Sequence, residues 1–273
     1  MPWPGKRKPG NAGRRTAETT DELIRQIAQD KAIGRFAPRR PGVETPRAVF
    51  MSVVDAVAGH FSGSGWRYAR SGPHLSRRDG DISARVEFVS NRLNVAGELV
   101  GLWVQIHLGD RTIGKWRKEI GQPLATGDEV ARRHLGHLLD PPRWLEWNLV
   151  DSTIRPDATA DIVETIEGAA LPWIESMRRL LDGGLPNPTS LIGHVTELSL
   201  IEYLVRAGQL DEAGSVVGEA VERSHERAQG FFAERLGAFR RDGLPGELPA
   251  GGSALLAYAV IRFDLPVDSP GAP

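Results

Sequence analysis

Ile82-Ser-Ala-Arg-Val-Glu-Phe88 and Leu102-Trp-Val-Gln-Ile-His-Leu108 are the two segments whose reading decides the fold. Both alternate apolar and polar residues with period two, the pattern of a half-buried strand. Ile82, Ala84, Val86 and Phe88 fall on one face beside Leu102, Val104, Ile106 and Leu108. The opposite face takes Ser83, Arg85, Glu87, Trp103, Gln105 and His107. A polar connection containing Ser90, Asn91, Arg92 and Asn94 joins the two, so they read as strands of one sheet with a greasy side and a decorated side.

Working outward, Pro46 opens a helix in which Val49, Phe50, Val53, Val54, Val57 and Phe61 follow the i, i+3, i+4 rule along one stripe. This helix is expected on the greasy side of the sheet. Gly63-Ser-Gly65 stops it, and Trp66-Arg-Tyr68 begins a strand that turns at Ser71-Gly-Pro73 into another around Leu75 to Arg78. Asp79-Gly80-Asp81 then turns the chain into Ile82. The expected fold class is α+β, with an antiparallel sheet of about four or five strands packed on helices and followed by a C-terminal helical hairpin.

Past Leu108, Ile113, Trp116 and Ile120 stand at helical spacing in a basic segment, and Asp128 is expected to cap a helix running through Leu139. Trp144 to Leu149 reads as an added edge strand. A long helix begins at Asp157 or Thr159, with Pro172 expected to kink or break it. Leu191 to Arg206 and Leu210 to Phe239 read as two helices joined at Ala207-Gly-Gln209, with Ala254 to Phe263 as a last short helix or strand. In domain terms, residues 1–20 form a disordered basic arm, 21–182 the α+β domain, and 189–263 a helical extension or small helical domain. The arm is followed by a short helix carrying Leu23, Ile24 and Ile27, and Gly183-Gly-Leu-Pro186-Asn-Pro188 is the clearest linker.

With 40% hydrophobic and 25% charged residues over 273 positions, the chain can bury a sizeable core. A net charge of -1 supplies no global field toward nucleic acid or an anionic membrane. The absence of cysteine removes disulfides, thiol catalysis, thiolate zinc sites and iron–sulfur clusters together. No apolar run approaches the roughly 18 residues of a membrane span, and no apolar stretch follows the basic residues near the N-terminus. A cytoplasmic protein without a cofactor is expected.

The order of features resembles a family of uncharacterised bacterial proteins built on a domain of unknown function. The resemblance rests on Gly65-Trp66-Arg67-Tyr68, on Val86-Glu87-Phe88 followed by Ser90-Asn91, and on Trp103-Val104-Gln105-Ile106. It continues through Trp116-Arg-Lys-Glu-Ile-Gly121, Pro142-Arg-Trp144 and Leu171-Pro-Trp-Ile-Glu175. It covers about residues 46 to 180 and implies an α+β domain, with no activity, substrate or catalytic residue to carry over. The connection from Asn91 to Val100 and everything beyond Gly183 fall outside it.

Three constellations carry chemistry. Arg85, Glu87, Trp103, Gln105 and His107 form a polar floor that suits a binding face, or, in an enzyme, a site with Glu87 or His107 as base. Cross-strand pairing alone would give the same pattern. Arg111, Lys115, Arg117 and Lys118 around Trp116 suit phosphate contacts with aromatic stacking. His134, His137 and Asp140 have a spacing that places metal ligands on one helix face, but no further ligand accompanies them. No phosphate loop, nucleophile elbow or paired metal carboxylates occurs. The first expectation is therefore a non-enzymatic protein-binding or regulatory module with an unknown protein partner. A nucleic-acid-binding protein using the basic arm and Arg111 to Lys118 is the second, and an enzyme with a Glu87/His107 site the third.

Overall fold

The computed structural model describes residues 43–121, 124–125, 127–181 and 188–267. The expected basic arm, the short helix after it and most of the Gly183 linker lie outside the described residues.

Helix α1 (Pro46–His60) is capped by Thr45, whose Oγ1 accepts from the Ala48 N–H at 3.2 Å, with Pro46 in the first turn where its missing N–H leaves no gap. Its apolar stripe is buried as the spacing predicts. Gly65 takes φ +84, and the chain enters β1 (Arg67–Ala69), β2 (His74–Asp79), β3 (Ile82–Ser90) and β4 (Gly101–Asp110). Asp55 on α1 ties the first strand down, accepting from Tyr68 Oη at 2.7 Å and from Arg70 Nη2 at 2.9 Å.

The sheet has six strands in the order β1-β2-β3-β4-β5, with β5 (Glu129–His134) and β6 (Trp147–Asn148) both pairing with β4, every pair antiparallel. In the central pair, Ala84 lies opposite Leu108, Val86 opposite Ile106 and Phe88 opposite Val104. These are buried and join α1 in one hydrophobic core, each large side chain contributing roughly 1.5–3 kcal/mol on burial. Helix α3 (Arg155–Thr165), a π turn (Ile166–Ala170) and α4 (Leu171–Leu181) follow, α3 packing on α1 and α4 on β3.

The helix expected to kink or break at Pro172 continues past it to Leu181, interrupted by a π turn immediately before the proline. The N–H of Leu171 reaches back to the Ile166 carbonyl, and the π turn shifts the hydrogen-bond ladder just where proline removes a donor.

A correction concerns residues 128–139. In place of a helix they form β5 and a 3-10 turn (Leu135–Leu138), because β4 offers a free edge and the segment fills it. A bulge between Leu108 and Gly109 turns both Val130 and Ala131 inward, and the Thr196 N–H donates to the Val130 carbonyl at 3.0 Å.

The basic segment after Leu108 is helix α2 (Arg111–Glu119), capped by Asp110. Beyond a 3-10 turn (Pro188–Leu191) come α5 (Glu197–Arg206), α6 (Leu210–Glu222), α7 (Glu226–Asp242) and α8 (Gly252–Arg262). The single helix expected from Leu210 to Phe239 is two, separated at Ser224 and His225, where His225 Nδ1 caps the Ala228 N–H at 3.2 Å. Helices α5 and α6 pack side by side, as do α7 and α8. No helix among the described residues is long and apolar enough to cross a membrane.

Candidate functional site on the open sheet face

Pairing register sets the decorated face row by row. Arg67, Ser76, Arg85, His107 and Arg132 lie directly opposite one another across five strands, and His74, Glu87, Gln105 and His134 form the next row. The five residues expected on this face, Arg85, Glu87, Trp103, Gln105 and His107, line one concavity of about 660 Å³. Asn91, Arg132, Trp144 and Glu146 complete its wall. Helices α1 and α4 pack against the other side, and Arg85 and Glu87 remain about 40% exposed.

His107 is only 5% exposed although nothing overlies it but its neighbours. Its Nδ1 donates to Glu129 Oε2 at 2.7 Å, and its Nε2 lies 2.7 Å from Glu87 Oε2, without hydrogen-bond geometry. Arg132 holds the other Glu129 oxygen at 2.8 Å, and Arg85 Nη2 stands 3.4 Å from His107 Nδ1. Partial burial raises the Glu129 carboxyl pKa, but the hydrogen bond and charge of His107, with Arg132, outweigh it and leave the group below its ordinary range. Both imidazole nitrogens face carboxylates of the protein itself, so neither is presented to a substrate, and the cluster stiffens the face through cross-strand pairs.

Beside this cluster stands an aromatic one. The His134 ring stacks on Trp144 at 4.0 Å and 16°, Trp103 lies 5.7 Å from His134 and 5.5 Å from Trp144, and His137 lies 5.1 Å from His134. His134 Nδ1 accepts from the Gly136 N–H at 3.1 Å. Burial, and then the charge of His137, push its pKa below the ordinary imidazole value, so the ring is neutral at pH 7. Trp144 is 58% exposed and forms the rim, with Glu146 fixed below it by Asn91 at 2.6 Å.

His134 and His137 are thus neighbours through a strand and a turn, not through a helix face. Among the described residues no group of three His, Asp or Glu is arranged to hold a metal ion.

The basic segment on α2 is divided by its own helix. Arg111, Lys115 and Lys118 are exposed, but Arg117 is 1% exposed and donates to Glu202 at 2.7–2.8 Å, to the Gly127 and Glu129 carbonyls and to Ser199 Oγ. Trp116 is half-buried and stacks on Phe263 at 6.3 Å. Arg117 therefore leaves the surface on which the sequence had placed it.

Glu129, Arg132, His134 and Trp144 are face residues that pattern reasoning missed. The first three were hidden by the helical reading of 128–139, and Trp144 only by the loop that carries it. The alternation of Arg132 and His134 around Arg133 was the available signal.

Fold and face together define an α+β protein with a helix-backed antiparallel sheet whose polar side is open. No protein-family model matches the chain, and no solved structure matches it. The chain is similar over 66 residues to an acetylglutamate kinase of Mycolicibacterium vanbaalenii, at 33% identity. The match covers 24% of this chain, which spans only 23% of that relative's length.

Proposed function

We propose that this protein is a non-enzymatic, cytoplasmic protein-binding module of regulatory type, in the manner of an immunity, antitoxin or defence-associated protein. It receives its partner on the polar face of the sheet, with the C-terminal helices as a flank. One observation carries this reading: the face turned away from the helices is left open, yet its polar side chains are fixed by one another, and two tryptophans stand at its edge. A preordered polar floor with aromatic anchors loses little entropy when a partner docks, and tryptophans at such positions are the usual energetic centres of interfaces. Both nitrogens of His107, the imidazole of this concavity, are enclosed against Glu129 and Glu87, which weighs against the Glu87/His107 enzyme reading. The enclosure of Arg117 and the packing of Trp116 weigh against phosphate binding on α2.

Tagged full-length protein in its native host is expected to recover a stoichiometric partner. Trp103→Ala should weaken that complex by about 2 kcal/mol, roughly thirtyfold in affinity, with the far-UV ellipticity of the folded protein retained. Undiminished binding by Trp103→Ala would remove the sheet face as the docking site.

A further inference from the structure

A second concavity of about 640 Å³ opens on the same face toward β1 and β2, sharing Arg85 and His107 with the first. Its composition differs. Four arginines, Arg67, Arg77, Arg78 and Arg85, line it against two carboxylates, Asp128 and Glu129, and no tryptophan reaches it.

The register explains how the positive charge is held apart. Ser76 stands directly opposite both Arg67 and Arg85, and Ser83 stands opposite Arg78. With strands about 4.8 Å apart, Arg67 and Arg85 are roughly 10 Å apart at the backbone, a span that two guanidinium groups close easily over the serine between them. Like charges directly opposite on neighbouring strands repel, and the interposed serines avoid that without neutralising anything.

Arg67 and Arg78 are exposed and form no ion pair with any described residue, while Arg85 reaches Glu87 only at 3.6 Å. Of the two carboxylates, Glu129 is already held by His107 and Arg132. The basin therefore presents the guanidinium forks of Arg67 and Arg78 beside the hydroxyls of Ser83 and of Ser76, the latter already donating to the Arg67 carbonyl at 3.4 Å, against one carboxylate, Asp128, that forms no ion pair with any described residue.

We propose that this arginine–serine basin binds the carboxylate side chains of an acidic segment of the partner polypeptide, so that the partner lies across both concavities. This rests on the reading of the sheet face as a protein-binding surface and adds the chemistry of the bound segment. Arginine's planar fork donates two parallel hydrogen bonds to a carboxylate, and the Ser83 hydroxyl adds a donor from below. A protein carboxylate fits better than a nucleic-acid backbone. A peptide can set carboxylates over the arginines and neutral residues beside Asp128 and Glu129, whereas a nucleic-acid backbone brings a charge at every repeat against those two carboxylates.

The test is fluorescence anisotropy of full-length protein with a fluorescein-labelled peptide of alternating glutamate and serine, beside the same peptide with glutamine for glutamate and a labelled single-stranded oligonucleotide of equal charge. The glutamate peptide should bind, and the glutamine peptide should not. The double variant Arg67→Ala/Arg78→Ala should weaken the glutamate complex at least tenfold and flatten its salt dependence. Arg227→Ala/Arg241→Ala, which removes two exposed charges from α7, should leave it unchanged. Equal binding by the double variant, no binding of the glutamate peptide, or tighter binding of the oligonucleotide through the same arginines would each overturn the proposal. Partner capture that depends on Trp103 with no acidic-peptide binding would leave the protein-binding reading standing and remove this one. Acidic-peptide binding with Trp103-independent capture would keep the basin as a carboxylate site and overturn the placement of the partner across both concavities.

Discussion

Arg117 is 1% exposed, and a buried guanidinium is tolerated only where its donors are met. Glu202, itself fully enclosed, accepts from Arg117 and from the Leu124 N–H at 2.8 Å. Burial pushes the Glu202 carboxyl above its usual range, against the pull of Arg117 and of the backbone donors at Leu124 and Ala125. Removing one member strands the other, so Arg117→Met is expected to cost about 3–5 kcal/mol. Arg117→Met with Glu202→Leu should cost less than the two single changes added together. Lys115→Ala and Lys118→Ala, two positions away and one position away on the exposed side of α2, should stay within about 0.5 kcal/mol. Urea unfolding of the five variants, Glu202→Leu alone included, decides this, and a loss below 1 kcal/mol for Arg117→Met would mean the pair is not a structural anchor. Sequence alone could not separate these cations: Arg117 and Lys118 adjoin and differ only in which side of a nine-residue helix they occupy. Arg85, Glu87, Trp103, Gln105 and His107 were legible because a strand's period of two assigns faces without any knowledge of what lies beyond the sheet. What alternation could not supply is burial by lateral neighbours, and His107 is enclosed by two carboxylates, one of them on a strand that had been read as a helix.

At the scale of elements, α6 offers two glycines four residues apart that meet different surroundings. A Cβ on Gly214 would run into the backbone carbonyl of Pro266, where the chain after α8 docks against the helix, whereas a Cβ on Gly218 would meet nothing within 4 Å. Alanine raises helix propensity at both sites by up to about 1 kcal/mol. Gly218→Ala should therefore stabilise the protein by about 0.5–1 kcal/mol. Gly214→Ala must push the 265–267 segment off its seat, and a net loss of about 1–3 kcal/mol is expected, of the size seen when packed contacts are overfilled. Chemical denaturation of the two variants gives the signs directly, and the same sign for both would show that the docked segment yields freely. The boundaries of these helices were less legible than their existence. His225 ends one helix pairing and caps the next through a side-chain nitrogen, with no glycine or proline to announce it. Residues 129–134 read as helix because strand identity there is conferred by the free edge of β4, a non-local partner that local pattern does not contain.

For the whole molecule, the question is whether the helices from α5 onward fold as a unit of their own. The contacts between them and the sheet side are of the kind that cannot be opened at small cost. Tyr203 Oη donates to the fully buried Asp110 at 2.6 Å, Arg117 is closed by Glu202 and Ser199, Arg262 donates to the Ile120 carbonyl at 2.7 Å, and Arg133 to the Gly193 carbonyl at 2.7 Å. Val130 and Ile113 on one side share a single hydrophobic core with Leu200, Ile201 and Tyr203 on the other. Parting the two would leave a buried carboxylate and a buried guanidinium unpaired at once, each a loss of several kcal/mol, comparable to the whole stability of an ordinary domain. One cooperative transition is therefore expected. The sequence provides a probe that separates the alternatives, because all seven tryptophans lie at or before residue 173 while α5 to α8 contain none. In a Trp116→Phe background, which removes the indole stacked on Phe263 at the end of α8, tryptophan emission reports unfolding of the sheet side, and ellipticity at the helical minimum reports helices on both sides. Their urea midpoints should coincide. A phase in the ellipticity with no counterpart in emission would show instead that the C-terminal helices melt on their own, and that the Arg117–Glu202 and Tyr203–Asp110 contacts open without taking the sheet with them.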